Sequence, residues 1–117
     1  MQFKEATQRF EEVLNQEKND FMRDSAIQRF EFTFDLSWKV IKAFLGGIHG
    51  IECSSPKSCF REAYKQDLIE YEPRWLEMVD DRNKTSHLYN QKMADQIYAK
   101  LKDYLPLFTK LLECLQQ

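Results

Sequence analysis

The stretch IQRFEFTFDLSWKVIKAFL, residues 27–45, has the period of a helix and places apolar side chains on two of its faces. The first apolar stripe comprises Phe30, Phe34, Trp38, Ile41 and Leu45. The second comprises Phe32, Leu36, Val40 and Phe44. Between them remains one narrow polar strip, formed by Glu31, Asp35, Lys39 and Lys42. A helix with so little polar surface must be covered from several directions, so we expect a homodimer.

Helical periodicity extends over almost the whole chain, which has only three glycines and three prolines. The pattern predicts a first helix that ends between Gln16 and Asn19, and a second that starts after Asp20 or Asp24. We expect Gly46 and Gly47 to stop this second helix near Leu45.

Cap residues mark the remaining helices. Ser55 followed by Pro56 is typical of a helix start, and the third helix should reach about Tyr71. A short fourth helix is predicted from Pro73 to about Arg82, and Asn90 can cap the last one. The sequence therefore predicts an all-α bundle.

Length and charge limit the possible functions. A chain of 117 residues suits a single domain, and its net charge of −2 argues against a general electrostatic nucleic-acid binder. Contacts with RNA or a nucleotide would have to be local, or be built by more than one chain. No apolar run approaches the ~20 residues of a membrane span, and the start of the chain has no signal-peptide pattern. We expect a soluble, cytoplasmic protein with no membrane contact.

The three cysteines, Cys53, Cys59 and Cys114, follow no recognised disulfide or zinc spacing. His49 lies near the first two, but a fourth metal ligand is not apparent. We therefore expect reduced thiols, and neither a metal nor a cofactor.

The segment DDRNKTSHLYN, residues 80–90, concentrates the groups that could carry chemistry. Arg82 and His87 are five residues apart, which on a continuous helix would separate them by about 140°. They can converge only if the helix breaks between them, and Asn83, Thr85 and Ser86 are poor helix formers. With Asn90 starting the next helix, His87 would lie near a helix N-terminus, where anions such as phosphate are favoured.

These groups match the needs of RNA cleavage without a metal. Arg82 can donate two hydrogen bonds to a phosphate, Lys84 adds a positive charge, and His87 exchanges protons near neutral pH. Cleavage needs both a base for the 2′-hydroxyl and an acid for the leaving oxygen. Two chains meeting at a dyad would supply two histidines, and the 2′-hydroxyl would make the reaction specific to RNA.

The same segment has a purely structural interpretation as a polar turn. Arg82 would then pair with Asp80 or Glu77, and Asp81 would join these carboxylates on a solvated helix face. Tyr89 is either a platform on which a base stacks or a packed residue that closes the turn.

The stretch Arg82 to His87 fits the R-x4-6-H motif of HEPN domains, including a polar residue, Asn83, after the arginine. With Tyr89 it becomes R-x4-H-x-Y, the form seen in HepT-like toxins. IQRFEFTFDLSWKV resembles the second helix of the nucleotidyltransferase substrate-binding protein family, a branch of the same superfamily. SHLYN and the later YLPLF resemble its final helix, so the resemblance covers essentially the whole chain.

The resemblance implies one HEPN-like domain over residues 1–117, a four- to five-helix up-and-down bundle that dimerises. It also implies a partner, a minimal nucleotidyltransferase that acts as antitoxin. Arg82 and His87 would be catalytic, and Tyr89 would accept AMP from the partner, with Asn83 and Lys84 beside it as nucleotide- or RNA-binding residues. Two functions follow: a metal-independent endoribonuclease toxin, or a non-catalytic subunit that binds a substrate or nucleotide for the transferase.

Overall fold

A computed structural model describes residues 1–116, which form five α-helices and no strand. The prediction of an all-α bundle is confirmed. The helices are α1 (Gln2–Leu14), α2 (Asp20–Ile48), α3 (Pro56–Lys65), α4 (Arg74–Lys84) and α5 (Gln91–Leu115), with a 3₁₀ turn (Thr85–His87) after α4. The long helix α2 packs against α1 and α5, while α3 contacts α2 and α4. No helix among the described residues is long and apolar enough to cross a membrane.

Aromatic side chains join four of the helices in one core. The fully buried ring of Phe108 on α5 contacts Phe3 and Phe10 on α1, Phe30 on α2 and Trp75 on α4. Ring pairs of this kind stabilise a core beyond their burial, each by about 0.5–1.5 kcal/mol. The core thus fixes α4, which carries Arg82, relative to α2 and α5.

The two stripes of α2 have different surroundings. Phe30, Phe34, Ile41 and Leu45 of the first stripe are buried, and Trp38 is half-buried. On the second stripe Phe32 is 61% exposed, whereas Leu36, Val40 and Phe44 are half-buried. The bundle therefore covers one stripe and leaves the other partly open, and dimerisation stays a prediction.

The predicted helix starts at Ser55 and Asn90 are confirmed. The Ser55 hydroxyl accepts a hydrogen bond from the backbone N–H of Ser58 at 3.3 Å, and Pro56 is the first residue of α3. The Asn90 side-chain oxygen accepts from the backbone N–H of Met93 at 2.9 Å. A cap of this kind contributes about 1 kcal/mol.

Two predicted helix ends are wrong. Helix α2 continues through Gly46 and Gly47 to Ile48, and the left-handed residue that ends it is Gly50, with φ +64°. A glycine inside a helix costs only about 1 kcal/mol, so glycines at these two exposed positions do not end the helix. Helix α3 stops at Lys65 rather than near Tyr71, because Asp67 adopts a left-handed φ of 59°.

The expectation of reduced thiols is also wrong for two of the cysteines. Cys53 and Cys59 form a disulfide with a Cα–Cα distance of 5.1 Å, and Cys114 is free. The chain turns at Ser55, the cap of α3, and this turn brings Cys53 next to Cys59 in the first turn of α3. Among residues 1–116, no group of three or more His, Cys, Asp or Glu side chains is arranged to hold a metal ion.

Candidate functional site

Arg82 lies in the last turn of α4, and its guanidinium is bound by two carboxylates of α2. Its Nε and Nη2 donate to the two oxygens of Asp35 at 3.3 and 3.1 Å, and Nη1 donates to Glu31 at 2.9 Å. Glu31 and Asp35 are one helical turn apart on the polar strip of α2, so both face the same neighbour. The Arg82 side chain is only 23% exposed.

Thr85 completes this group of side chains. Its hydroxyl lies 3.1 Å from the Glu31 carboxylate, 3.0 Å from Arg82 Nη1 and 2.6 Å from the Arg82 carbonyl. We call Arg82, Glu31, Asp35 and Thr85 the arginine clamp. The hydrogen bond and charge of Asp35, opposed by burial, raise the pKa of Arg82, so the guanidinium stays protonated.

The local pairing expected for Arg82 is therefore wrong. Asp80 pairs with Lys57 at 3.0 Å, and Glu77 lies 3.4 Å from the amine of Lys100. Arg82 instead binds Glu31 and Asp35 of α2, because α4 packs against that helix.

His87 and Tyr89 lie together at the surface. The predicted helix break before His87 is confirmed. Helix α4 ends at Lys84, the 3₁₀ turn ends at His87, and α5 begins at Gln91. The Nδ1 atom of His87 is 3.0 Å from the hydroxyl of Tyr89, and the Tyr89 side chain is 79% exposed. This hydrogen bond orients the imidazole while both rings stay accessible to a ligand.

The site residues thus form two neighbouring groups with separate partners. Arg82 bonds to α2 through the clamp, whereas His87 bonds to Tyr89. Asn83 is exposed between them, and Lys84 projects outward with its amine 3.9 Å from the Asp81 carboxylate.

Asp81 is buried, which corrects its expected place on a solvated face. It is 1% exposed, accepts a hydrogen bond from the Tyr104 hydroxyl and lies 3.3 Å from the Lys100 amine. Burial and the bond to Asp81 raise the pKa of Tyr104 well above its usual range. Asp81 therefore holds the end of α4 on α5, while the next residue, Arg82, holds it on α2.

Glu31, Asp35 and Thr85 were not among the predicted site residues. A signal for the first two was present, because the polar strip on an otherwise apolar helix indicates a polar neighbour. Nothing in the sequence singled out Thr85.

Comparison with known proteins identifies the family. The profile of the family described as nucleotidyltransferase substrate binding protein like matches residues 1–117. The chain belongs to this family. The protein "Probable ribonuclease HepT" from Haemophilus influenzae is 37% identical to this chain over 102 residues, which cover 84% of this chain and 70% of the relative. The resemblance to HepT-like proteins of the HEPN superfamily is thereby confirmed.

Two solved structures share the fold of this chain. A Thermus thermophilus protein superposes with a TM-score of 0.92 at 37% identity, covering 98% of this chain and 99% of its own. A Haemophilus influenzae protein gives 0.84 at 31% identity, covering 98% and 97%. Its structure is described as revealing the fold of a substrate binding domain of a nucleotidyltransferase.

Proposed function

We propose that residues 1–117 form one HEPN-like domain that acts in the cytoplasm as a metal-independent endoribonuclease toxin, controlled by a minimal nucleotidyltransferase as antitoxin. The observation that carries the proposal is the exposed His87, oriented by Tyr89 directly after the helix break. The 37% identity to "Probable ribonuclease HepT" supports it.

His87 would transfer the protons of the reaction. In the neutral form that acts as the base, Nδ1–H would donate to the Tyr89 hydroxyl, which leaves the lone pair of Nε2 free to take a proton. In the protonated form that acts as the acid, Nε2–H would supply the proton. One imidazole removes the 2′-hydroxyl proton, the resulting oxygen attacks the phosphate, and the P–O5′ bond breaks. A second imidazole protonates the leaving O5′, so the products are a 2′,3′-cyclic phosphate and a 5′-hydroxyl.

Arg82 would stabilise the phosphate from a fixed position. Its Nη2 group has a second hydrogen beyond the one given to Asp35, and the clamp holds that hydrogen in place. Lys84, whose side chain is 65% exposed, and the exposed Asn83 would contact the RNA backbone on the same segment.

A homodimer would supply the second imidazole. The partly open stripe of α2, with Phe32 61% exposed and Leu36, Val40 and Phe44 half-buried, is the apolar surface that we propose to lie at the dimer interface.

A specific observation favours the second candidate, a non-catalytic subunit that presents a substrate or nucleotide to the transferase. The clamp sets one positive charge against two carboxylates, which disfavours a phosphate beside Arg82. In both candidates Tyr89 is the proposed AMP acceptor, because its hydroxyl is exposed and next to His87. A negatively charged adduct there would repel an RNA phosphate.

A growth assay with matched histidine variants separates the candidates. Expression of the wild type without the transferase should slow growth, and co-expression of the transferase should restore it. His87→Ala or Arg82→Ala should abolish the toxicity. His49→Ala, which removes the other exposed histidine of the chain, should leave it intact. A wild type that neither slows growth nor cleaves RNA would contradict the nuclease and leave the substrate-binding subunit.

A further inference from the structure

A cavity of about 340 Å³ adjoins the His87–Tyr89 pair, between the first turns of α2 and the segment that leads into α5. The buried Ile27 and the half-buried Leu88 line it with apolar surface, and the Tyr89 side chain lines it on the side of His87. Its volume lies within the roughly 300–1,000 Å³ typical of small-molecule sites. An aromatic ring beside an apolar floor is the arrangement on which an unpaired nucleobase stacks.

Two polar groups of opposite kind also line the cavity. Asp24 Oδ1 accepts a hydrogen bond from Nε of the buried Arg23 at 3.1 Å and lies 3.0 Å from its Nη2, whereas Oδ2 has no hydrogen-bond partner within residues 1–116. Asn90 uses its side-chain oxygen for the cap on Met93, and the two N–H donors of its amide nitrogen have no partner among the described residues. A carboxylate acceptor and an amide donor are thus both available on residues that line the cavity.

We propose that this cavity is a binding site for a guanine base. The Watson–Crick edge of guanine carries two adjacent N–H donors beside a carbonyl, and the other bases lack this donor pair. Asp24 can accept one of these donors on its Oδ2 and the other on the lone pair of Oδ1 that Arg23 Nε does not use, and the Asn90 amide matches the carbonyl. The ring would stack on Tyr89.

The position of Tyr89 connects this site with the proposed chemistry. Its hydroxyl is 3.0 Å from His87 Nδ1, so a nucleotide whose guanine stacks on the ring is held beside the imidazole. The inference rests on the proposed function only for this last step. The guanine itself can belong to a single-stranded RNA or to a free nucleotide.

Calorimetry with GMP, AMP, CMP and UMP on the full chain tests the base site without any cleavage. GMP should bind at least about tenfold more tightly than the other three, the discrimination expected of a paired donor contact. Asp24→Asn should abolish this preference. Asn90→Asp keeps a capping oxygen but replaces the amide donor by a carboxylate, and it should weaken GMP binding about tenfold.

Asp20→Asn is the matched control. Asp20 is another carboxylate bound by Arg23, at 3.3 Å, but it does not line the cavity, so its variant should retain the GMP preference. Equal affinity for all four nucleotides, or a loss of preference in Asp20→Asn as large as in Asp24→Asn, would overturn the guanine site.

A second experiment distinguishes the source of the guanine. Uridine oligonucleotides with and without one guanosine are tested for binding to His87→Ala and for cleavage by the wild type. Cleavage next to the guanosine supports a site for RNA, and binding of GMP but not of the oligonucleotide supports a free nucleotide. GMP preference without any RNA cleavage would remove the proposed nuclease and leave the guanine site standing. Cleavage with no guanine preference in either experiment would overturn the site alone.

Discussion

Replacing Asp35 by asparagine tests whether the arginine clamp fastens the end of α4 to α2. Asparagine has nearly the same size, but it loses the charge and the two-oxygen acceptor that faces Nε and Nη2 of Arg82. Glu31 still binds Arg82, so the variant does not leave an unpaired buried charge. The Asp35 side chain is 40% exposed and that of Arg82 23%, so solvent weakens their attraction. Exposed ion pairs contribute about 0.2–1 kcal/mol to the free energy of unfolding. The two parallel hydrogen bonds between Arg82 and Asp35 favour the upper end of this range, about 1 kcal/mol.

A double-mutant cycle in urea measures this coupling. Asp35→Asn, Arg82→Gln and the double variant should give a coupling free energy of unfolding of about 0.5–1 kcal/mol. The pair of Lys57 and Asp80, at 3.0 Å with both side chains about half exposed, is the matched control and should give less. A coupling between Asp35 and Arg82 no larger than that of the control pair would refute the clamp as a fastening between the two helices.

Three further predictions concern other parts of the bundle. Burial and the bond to Asp81 raise the pKa of Tyr104 in the folded state. The stability that Tyr104 contributes is therefore complete below about pH 10 and is lost as the pH rises further. The free energy of unfolding at alkaline pH should depend less on pH in Tyr104→Phe, and an unchanged pH profile would contradict this. Asn90→Ala should lower the free energy of unfolding by about 1 kcal/mol through loss of the α5 cap, whereas Asn90→Asp should change it little, as urea titration can show. Thiol titration of the unfolded, unreduced protein should detect one thiol, that of Cys114, and three after reduction; three without reductant would contradict the disulfide.

Local patterns predicted the features of the fold that depend on local physics. The buried stripe of α2 follows from the period of its apolar residues, and the starts of α3 and α5 follow from Ser55, Pro56 and Asn90. The break before His87 followed from the poor helix propensity of its neighbours.

The end of α2 and the burial of Asp81 were not predicted. Helix α2 runs through the exposed Gly46 and Gly47 to Ile48, because the left-handed Gly50 lets the Ile51 N–H close the helix by donating to the Leu45 carbonyl at 3.0 Å. The burial of Asp81 depends on how α4 meets α5, where Tyr104 and Lys100 offer it partners 19 and more residues away. Spacing along the chain carries no information about such contacts.

The candidate site also combines local features, which the sequence indicated, with long-range contacts, which it did not. The grouping of Arg82, His87 and Tyr89 on one segment was visible in the spacing, and the hydrogen bond between the last two is local. The partners of Arg82 lie 47 and 51 residues away on α2, so only the fold shows that two carboxylates bind the guanidinium.

Cleavage of single-stranded RNA by the purified protein in EDTA tests the central proposal most directly. The wild type and His49→Ala should cut the RNA to products with 2′,3′-cyclic phosphate ends, and leave DNA of the same sequence intact. His87→Ala should lose about 10²–10⁴-fold in rate, the usual contribution of a general acid–base group, with its unfolding midpoint in urea unchanged. RNA that stays intact, cleavage that stops in EDTA, or equal cleavage by His87→Ala would contradict the proposed metal-independent chemistry.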